Sequence, residues 1–423
     1  LGLTDAEVRF CFDLGMLHDI GVSSTRTHGK LVGHFDWDGA QDHCETGFAL
    51  LGRFPPLQPL ALPVRYHHTR WEVLTTIGLP DDVARQANLI YLVDRVDALA
   101  ASWQARGELL LHTGRIRDEI AGHAGHYFDP RLVDAFLRAS ARESFWLMQE
   151  PRAIQAFLRT RRFDGPAVPA SVQELHQLAG IFACIGDAKS PFTAAHSIGV
   201  AGVARLLAAA LDMDAAACER IEIAGLLHDL GKLRVPDEIL DKPGRLDEAE
   251  RVVMRTHSFE TFQILRDIAG FEDIARWAAW HHEEPNGRGY PFHLQGEQLP
   301  VEARILRVAD IFQAMIQNRP YRSGLSAGDV RTFMQDFAAR GKVDGDVVAV
   351  LLPVVSEAME IDPNSSGANF YLNKVKEAKF GIEARKREVT VKDKIIEVEK
   401  SWNTPGAKPL PFANPFAKTN RIY

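Results

Sequence analysis

The sequence predicts an all-α protein, and three observations carry that reading. Apolar residues recur at spacings of three and four, as in Ala217, Ile221, Ala224 and Leu227, or Ile305, Val308, Ile311 and Phe312. Such spacing lays them along one face of a helix. Pro and Gly gather between these runs, at 53–63, 161–169, 241–244 and 285–291, where they interrupt helices. Strict apolar–polar alternation, the mark of a half-buried strand, is scarce before residue 380. Taken in order, residues 1–21 and NLIYLVDRVDAL (88–99) read as helices. After the 161–169 break, Thr193 is expected to cap a helix that carries His196 in its first turn. Then come the strongly apolar IEIAGLLHD (221–229), EAERVVMRTHSFETF (248–262) and RILRVADIFQAM (304–315).

Sliding the chain against itself exposes a repeat. LGLTDAEVRFCFDLGMLHDIG (1–21) falls on LDMDAAACERIEIAGLLHDLG (211–231) without a gap. HCETGFALLGRF from His43 resembles HSFETFQILRDI from His257, His67 and His68 match His281 and His282, and NLIYLVDRVDAL matches RILRVADIFQAM. The order is kept throughout and the period is too long for a solenoid, so two copies of one helical domain are expected in tandem. The helix before Leu211 has no counterpart ahead of Leu1, so the chain reads as a fragment whose first copy starts late.

The 423 residues are 46% hydrophobic and 25% charged, with net charge −7, which disfavours a nucleic-acid polymer held by net positive charge. No apolar run approaches the length of a membrane span. Cys11, Cys44, Cys184 and Cys218 lie far apart without a CxxC pair, so a reducing, cytoplasmic setting is expected. Beyond residue 360 the chain changes character. Residues 1–360 hold 5 Lys and 32 Arg, whereas 361–423 hold 9 Lys and 3 Arg, and Asn rises from 3 to 6. A tail of separate origin, without chemistry of its own, is the expectation.

The second copy contains the residues that carry chemistry. His228 and Asp229 end an apolar helix, where both are costly to bury unless paired or bound to metal. An HD pair alone is weak evidence. His196, His257, the adjacent His281 and His282, and Asp310 strengthen it, because Asp310 is the single carboxylate in a core-like run and calls for a cation. Imidazoles mixed with carboxylates suit iron, manganese or zinc, and two ions need a shared carboxylate, for which Asp229 is placed best.

HDLGK (228–232), VPDEILDKPGRL (235–246), His257, HHEEPNGRGYP (281–291), ARILRVAD (303–310) and NRPYR (318–322) together resemble the HD-GYP family of the HD phosphohydrolase superfamily. Its members hydrolyse cyclic di-GMP at an iron or manganese centre. The resemblance implies one ion held by His196, His228, Asp229 and Asp310, and a second by Asp229, His257, His281 and His282. It implies that Lys232 meets the scissile phosphate, and that Arg319 and Arg322 take phosphate or guanine. Gly289 and Tyr290 lie in the loop at the mouth of the site, where the Tyr290 ring either stacks on a base or simply packs. Phe192 stands where some members carry a glutamate linked to a third ion, so two divalent transition metals, iron or manganese, are expected. Asn286 and Gln313 replace the usual aspartates, which leaves cyclic GMP-AMP open as a substrate beside cyclic di-GMP.

The first copy keeps His18, Asp19, His43, His67, His68 and Asp94, but has Val22 where Lys232 stands and lacks the GYP and RPYR stretches. A remnant metal site there stays open, with a packing or regulatory role and no turnover expected. The remaining histidines, His28, His34, His112, His123, His126, His176 and His293, show no ligand spacing.

The expected architecture is two tandem HD-type helical bundles: a truncated, degenerate domain at 1–150, a linker at 151–170, a catalytic domain at 171–358, and a tail at 359–423. The expected function is a metal-dependent cyclic-dinucleotide phosphodiesterase, with cyclic di-GMP first, giving linear pGpG and then GMP. The rival readings are a non-catalytic receptor that signals through a protein partner, and another HD-superfamily reaction. The oligomeric state is left open, a homodimer included.

Overall fold

The computed structural model describes residues 1–33, 35, 39–161, 170–189, 196–317 and 323–360. It is all-α as the sequence predicts: no strand forms among the described residues. They divide into two compact units, one made of 1–22 with 27–161 and the other of 23–26 with 170–360. Thr193, Phe192, Arg319, Arg322 and the 361–423 tail lie outside the described residues. No described helix is long and apolar enough to cross a membrane.

The first unit runs α1 (Asp5–Leu17), all but the first two residues of α2 (Thr25–Gly33), α3 (Ala40–Leu51), α4 (Gln58–Arg65), α5 (Trp71–Leu74) and the long α6 (Asp81–Ala105). It continues with α7 (Leu109–Gly122), α8 (Pro130–Ala139), α9 (Glu143–Leu147) and α10 (Pro151–Arg161). Thr4 starts α1 with a reciprocal cap: its hydroxyl accepts from Glu7 N, and the Glu7 carboxylate accepts from Thr4 N. Leu14, Leu51, Leu60, Val64 and Ile90 form one apolar cluster, and Tyr91, Ile116, Ile120, Phe128 and Trp146 a second. Part of the segment expected as a linker is helical. Pro151 begins α10 at a position where a missing N–H costs nothing, and Phe157 on that helix meets Phe12 edge-on at 6.0 Å.

The second unit runs α11 (Val172–Ala188), α12 (His196–Ala210), α13 (Ala215–Leu227), α14 (Asp237–Leu240), α15 (Glu248–Leu265) and α16 (Glu272–Ala279). After them come α17 (Val301–Ile316), α18 (Ala327–Ala339) and α19 (Gly345–Glu360). One continuous core joins them, including Leu207, Ile221, Ile274, Leu306, Phe312, Val330 and Leu351. Each such side chain, fully buried, contributes roughly 1.5–3 kcal/mol. Helices α12 and α13 approach closely because their contact is built from Ala201 and Gly225. A Cβ added at Gly225 would lie 2.8 Å from Ala201 Cα. That close approach brings the start of α12 and the end of α13, hence His196 and His228, to one spot.

Candidate metal centre

Helix α13 is capped at its start by Asp214, whose carboxylate accepts from Ala217 N at 2.7 Å, and its last helical turn delivers His228. The chain then tightens into a 3-10 turn over Leu230–Arg234, which swings Asp229 and Lys232 toward one side. Gly231 makes this turn feasible. A Cβ there would sit 2.0 Å from the carbonyl oxygen of His257, so the turn presses directly on the α15 backbone. Thr261, one turn beyond His257, fastens the same junction: its hydroxyl donates to His228 O at 3.0 Å and accepts from Gly231 N at 2.9 Å.

Five elements thus converge. His196 comes from α12, His228 and Asp229 from the end of α13, and His257 from α15. His281 and His282 follow α16, and Asp310 lies on α17. The rings are oriented by their own helices. Nδ1 of His228 donates to Gly225 O at 2.7 Å, that of His257 to Met254 O at 2.7 Å, and that of His281 to Ala278 O at 2.6 Å. A carbonyl only accepts, so each Nδ1 carries the proton and each Nε2 faces the cluster. This is how imidazole is held for metal binding.

Asp229 divides the cluster. Its Oδ2 lies 3.2 Å from His228 Nε2 and 3.9 Å from His196 Nε2, while Oδ1 lies 3.5 Å from His257 Nε2 and 3.9 Å from His281 Nε2. His196 Nε2 meets Asp310 Oδ1 at 3.2 Å, and His257 Nε2 meets His281 Nε2 at 3.3 Å. Three overlapping groups have ligand atoms within 4.8 Å of one another: His196, His228 and Asp310; His228, Asp229 and His281; His257, His281 and His282. Asp229 Oδ1 and His228 Nε2 are buried without a hydrogen bond, a costly state that a cation between them relieves. The residues therefore fit divalent metal.

Electrostatics separate the ligands while no ion is present. Burial disfavours a charged His228, but the adjacent Asp229 carboxylate outweighs it and raises the ring to about 9. Burial lowers His257 to about 4 and His281 to about 3, so both stand neutral and ready to coordinate. Burial opposes ionisation of Asp229 too, yet His228 and Lys232 hold it well below the usual carboxylate range. Lys232 Nζ donates to Asp229 Oδ2 at 2.5 Å.

The loop beyond the histidines is built by residues that spacing did not single out. Glu283, buried, accepts from Phe292 N at 2.6 Å and Leu294 N at 3.0 Å, folding the GYP loop back on itself. Arg307 donates to Lys342 O at 2.6 Å, to Glu284 at 2.9 Å and to His281 O at 3.4 Å. It ties α17 to the histidine pair. Gly289 has a packing reason: a Cβ there would lie 2.2 Å from Glu284 N. Tyr290 stacks on His282 with centroids 4.7 Å apart, and Arg255 lies over its ring at 5.2 Å, so the ring packs on a candidate ligand. Asn286 accepts from Arg288 N at 2.9 Å and donates to Arg340 O at 3.2 Å, a structural part in the same loop. Gln313 is buried against Gly199 with neither amide atom hydrogen-bonded.

With this geometry in view, the comparisons are specific. The HD domain family matches residues 180–347. The chain is 34% identical over 364 residues to 3'3'-cGAMP-specific phosphodiesterase 1 of Vibrio cholerae, covering 82% of each protein. The chain belongs to the HD-GYP family. It is an enzyme of the metal-dependent phosphohydrolase class. A cyclic di-GMP phosphodiesterase response regulator of Xanthomonas campestris is 38% identical over 143 residues, 33% of this chain and 37% of that protein. Among solved structures, the cyclic GMP-AMP-specific phosphodiesterase V-cGAP3 of V. cholerae superimposes with a TM-score of 0.52 at 25% identity, covering 84% of this chain and 88% of that one. Membership in the HD-GYP family explains why carboxylate and imidazole converge here at the end of an apolar helix.

Proposed function

We propose that the second unit hydrolyses a cyclic dinucleotide at a two-metal centre. One ion would be held by His196, His228, Asp229 and Asp310, the other by Asp229, His257, His281 and His282. The observation that carries this reading is the division of Asp229, whose two oxygens face two different imidazole sets. When bound, such ions supply Lewis acidity, lowering the pKa of water and spreading the charge of the transition state. Iron and manganese suit the mixed nitrogen–oxygen donors.

The chain's own residues do the remaining work. Asp229 shares its carboxylate between the two halves of the centre and fixes their separation. Lys232, one turn after Asp229, releases that carboxylate to the ions and donates to a non-bridging phosphate oxygen. Tyr290 borders His282, and Arg255, lying over the Tyr290 ring, would meet a phosphate arriving there. Gly289 acts through the loop's shape. Arg319 and Arg322 are retained as substrate contacts on the strength of the resemblance alone.

The mixed guanine–adenine dinucleotide is the favoured substrate. The sequence motifs put cyclic di-GMP first. What supports the other order is that one cGAMP-specific relative matches across 82% of this chain, against 33% for the Xanthomonas cyclic di-GMP relative. The Asn286 and Gln313 replacements lie in the same unit and fit an altered preference. The first unit is a degenerate, non-catalytic copy, since Val22 and the HHTRWE stretch replace Lys232 and the GYP loop.

The test is product analysis by mass spectrometry with 3'3'-cGAMP and cyclic di-GMP, each with Fe(II) or Mn(II) under anaerobic conditions. Faster linearisation of 3'3'-cGAMP supports the reading. Binding without product for either would return the protein to the receptor alternative.

A further inference from the structure

The first unit carries a second cluster with its own geometry. Asp19 follows α1, His43 lies on α3, and His67 and His68 follow α4. One ligand atom from each of these four residues lies within 4.8 Å of the others. Asp19 Oδ1 is 3.2 Å from His43 Nε2 and 3.8 Å from His67 Nε2, and the two Nε2 atoms are 3.1 Å apart. Ligand atoms about 2.0–2.1 Å from a tetrahedral zinc lie roughly 3.3–3.4 Å from one another, so these separations already approximate the edges of a filled site.

We propose that the first unit binds a single divalent ion of the zinc type through Asp19, His43, His67 and His68. Three further observations support it. The His43 and His67 imidazoles are buried, and Asp19 Oδ1, which faces both of their Nε2 atoms, lies buried without a hydrogen bond. Unpaired polar atoms in such a place are costly without a ligand. His67 is oriented for coordination, its Nδ1 donating to Val64 O at 2.6 Å so that Nε2 faces the cluster. The local frame is also kept: a Cβ at Gly21 would lie 2.1 Å from His43 O, matching Gly231 against His257.

The site takes one ion, for reasons on the page. Asp94, which would serve a second ion as Asp310 does, is engaged by Arg95 at 2.7 Å. His18 faces the other carboxylate oxygen, Asp19 Oδ2, at 3.4 Å and stands outside the four-residue set. Val22, in place of a lysine, leaves the Asp19 carboxylate to the histidines. Cys44 stays outside the set: its thiol donates to Ala40 O at 3.4 Å. Three nitrogens and one carboxylate are a donor set that suits zinc, which needs no redox partner. An ion joining α1, α3 and α4 would brace this unit instead of turning over substrate.

The experiment uses the full chain, stripped by chelation and titrated with Zn(II) or Co(II), followed by elemental analysis and visible absorption. Wild type should hold one more equivalent than the His43→Ala/His67→Ala variant, and the tetrahedral cobalt band should vanish in that variant. The band should persist in His257→Ala/His281→Ala. Phosphodiesterase activity of the first-unit variant should stay within about twofold of wild type. Should the double variant fail to fold, Asp19→Asn keeps the shape and should weaken cobalt binding at least tenfold. Unchanged stoichiometry in a folded double variant, or unchanged affinity in Asp19→Asn, overturns the proposal. Because metal at the first unit is read without substrate, failure of the phosphodiesterase reading leaves this result intact.

Discussion

Replacing Gly231 by alanine should disable the enzyme although no atom of Gly231 is expected to touch metal or substrate. The added Cβ would sit 2.0 Å from His257 O and 2.7 Å from Thr261 N, where real contacts of this kind do not fall below 3.0 Å. The turn or α15 must therefore retreat by at least 1.0 Å, the difference between 3.0 and 2.0 Å. Both sides of that contact carry the centre, since Asp229 and Lys232 flank Gly231 and His257 supplies the opposing oxygen. A shift of 1 Å in a reacting group costs on the order of 10²-fold in rate. Overpacking itself costs about 1–3 kcal/mol, which in a unit of this size lowers Tm by roughly 2–12 °C. The assay is cyclic-dinucleotide turnover at saturating Mn(II), with metal content and thermal melting measured on the same sample. Gly21→Ala is the internal control, because its clash with His43 O is nearly the same, at 2.1 Å, yet lies in the other unit. That variant should lower stability while keeping turnover per folded molecule. Gly231→Ala retaining half or more of wild-type turnover would refute the reasoning.

Lys232→Ala should keep its metal and lose about 10²–10³ in rate, as expected for one transition-state donor; elemental analysis beside kinetics checks both halves. His228→Ala/Asp229→Ala should abolish turnover while His18→Ala/Asp19→Ala keeps most of it, and residual activity in the first pair that disappears on adding the second would reveal a working first unit. Glu283→Ala orphans the N–H groups of Phe292 and Leu294. At about 1–3 kcal/mol for each buried donor, it should loosen the GYP loop, visible as raised KM and faster hydrogen exchange over 289–294. Truncation after residue 360 should leave turnover unchanged, since every proposed ligand precedes it, and a folded but inactive truncate would contradict this.

Helical periodicity was enough to determine the all-α class, and the order of short polar motifs picked out the residues that the fold gathers into the candidate centre. Both signals are local: a buried His or Asp in an apolar helix stands out within one turn of sequence. The division between two ions is what the resemblance implies, and only tertiary structure set its geometry. His196 and Asp310 are 114 positions apart, yet their side chains meet at 3.2 Å, and the two oxygens of Asp229 part toward different histidines because a 3-10 turn rotates the carboxylate. The same holds for the supports. Thr261, Glu283 and Arg307 look like ordinary helix or loop residues, and their importance lies in backbone groups contributed by distant elements. Gly231 differs from a dispensable helix-end glycine only through the carbonyl of His257, which sequence cannot place. Tyr290 shows the limit from the other side: its ring was free either to stack on a base or to pack, and the fold set it against His282. Identity is written along the chain, but the distance between two oxygens and two nitrogens depends on how five separate elements pack, and packing is long-range.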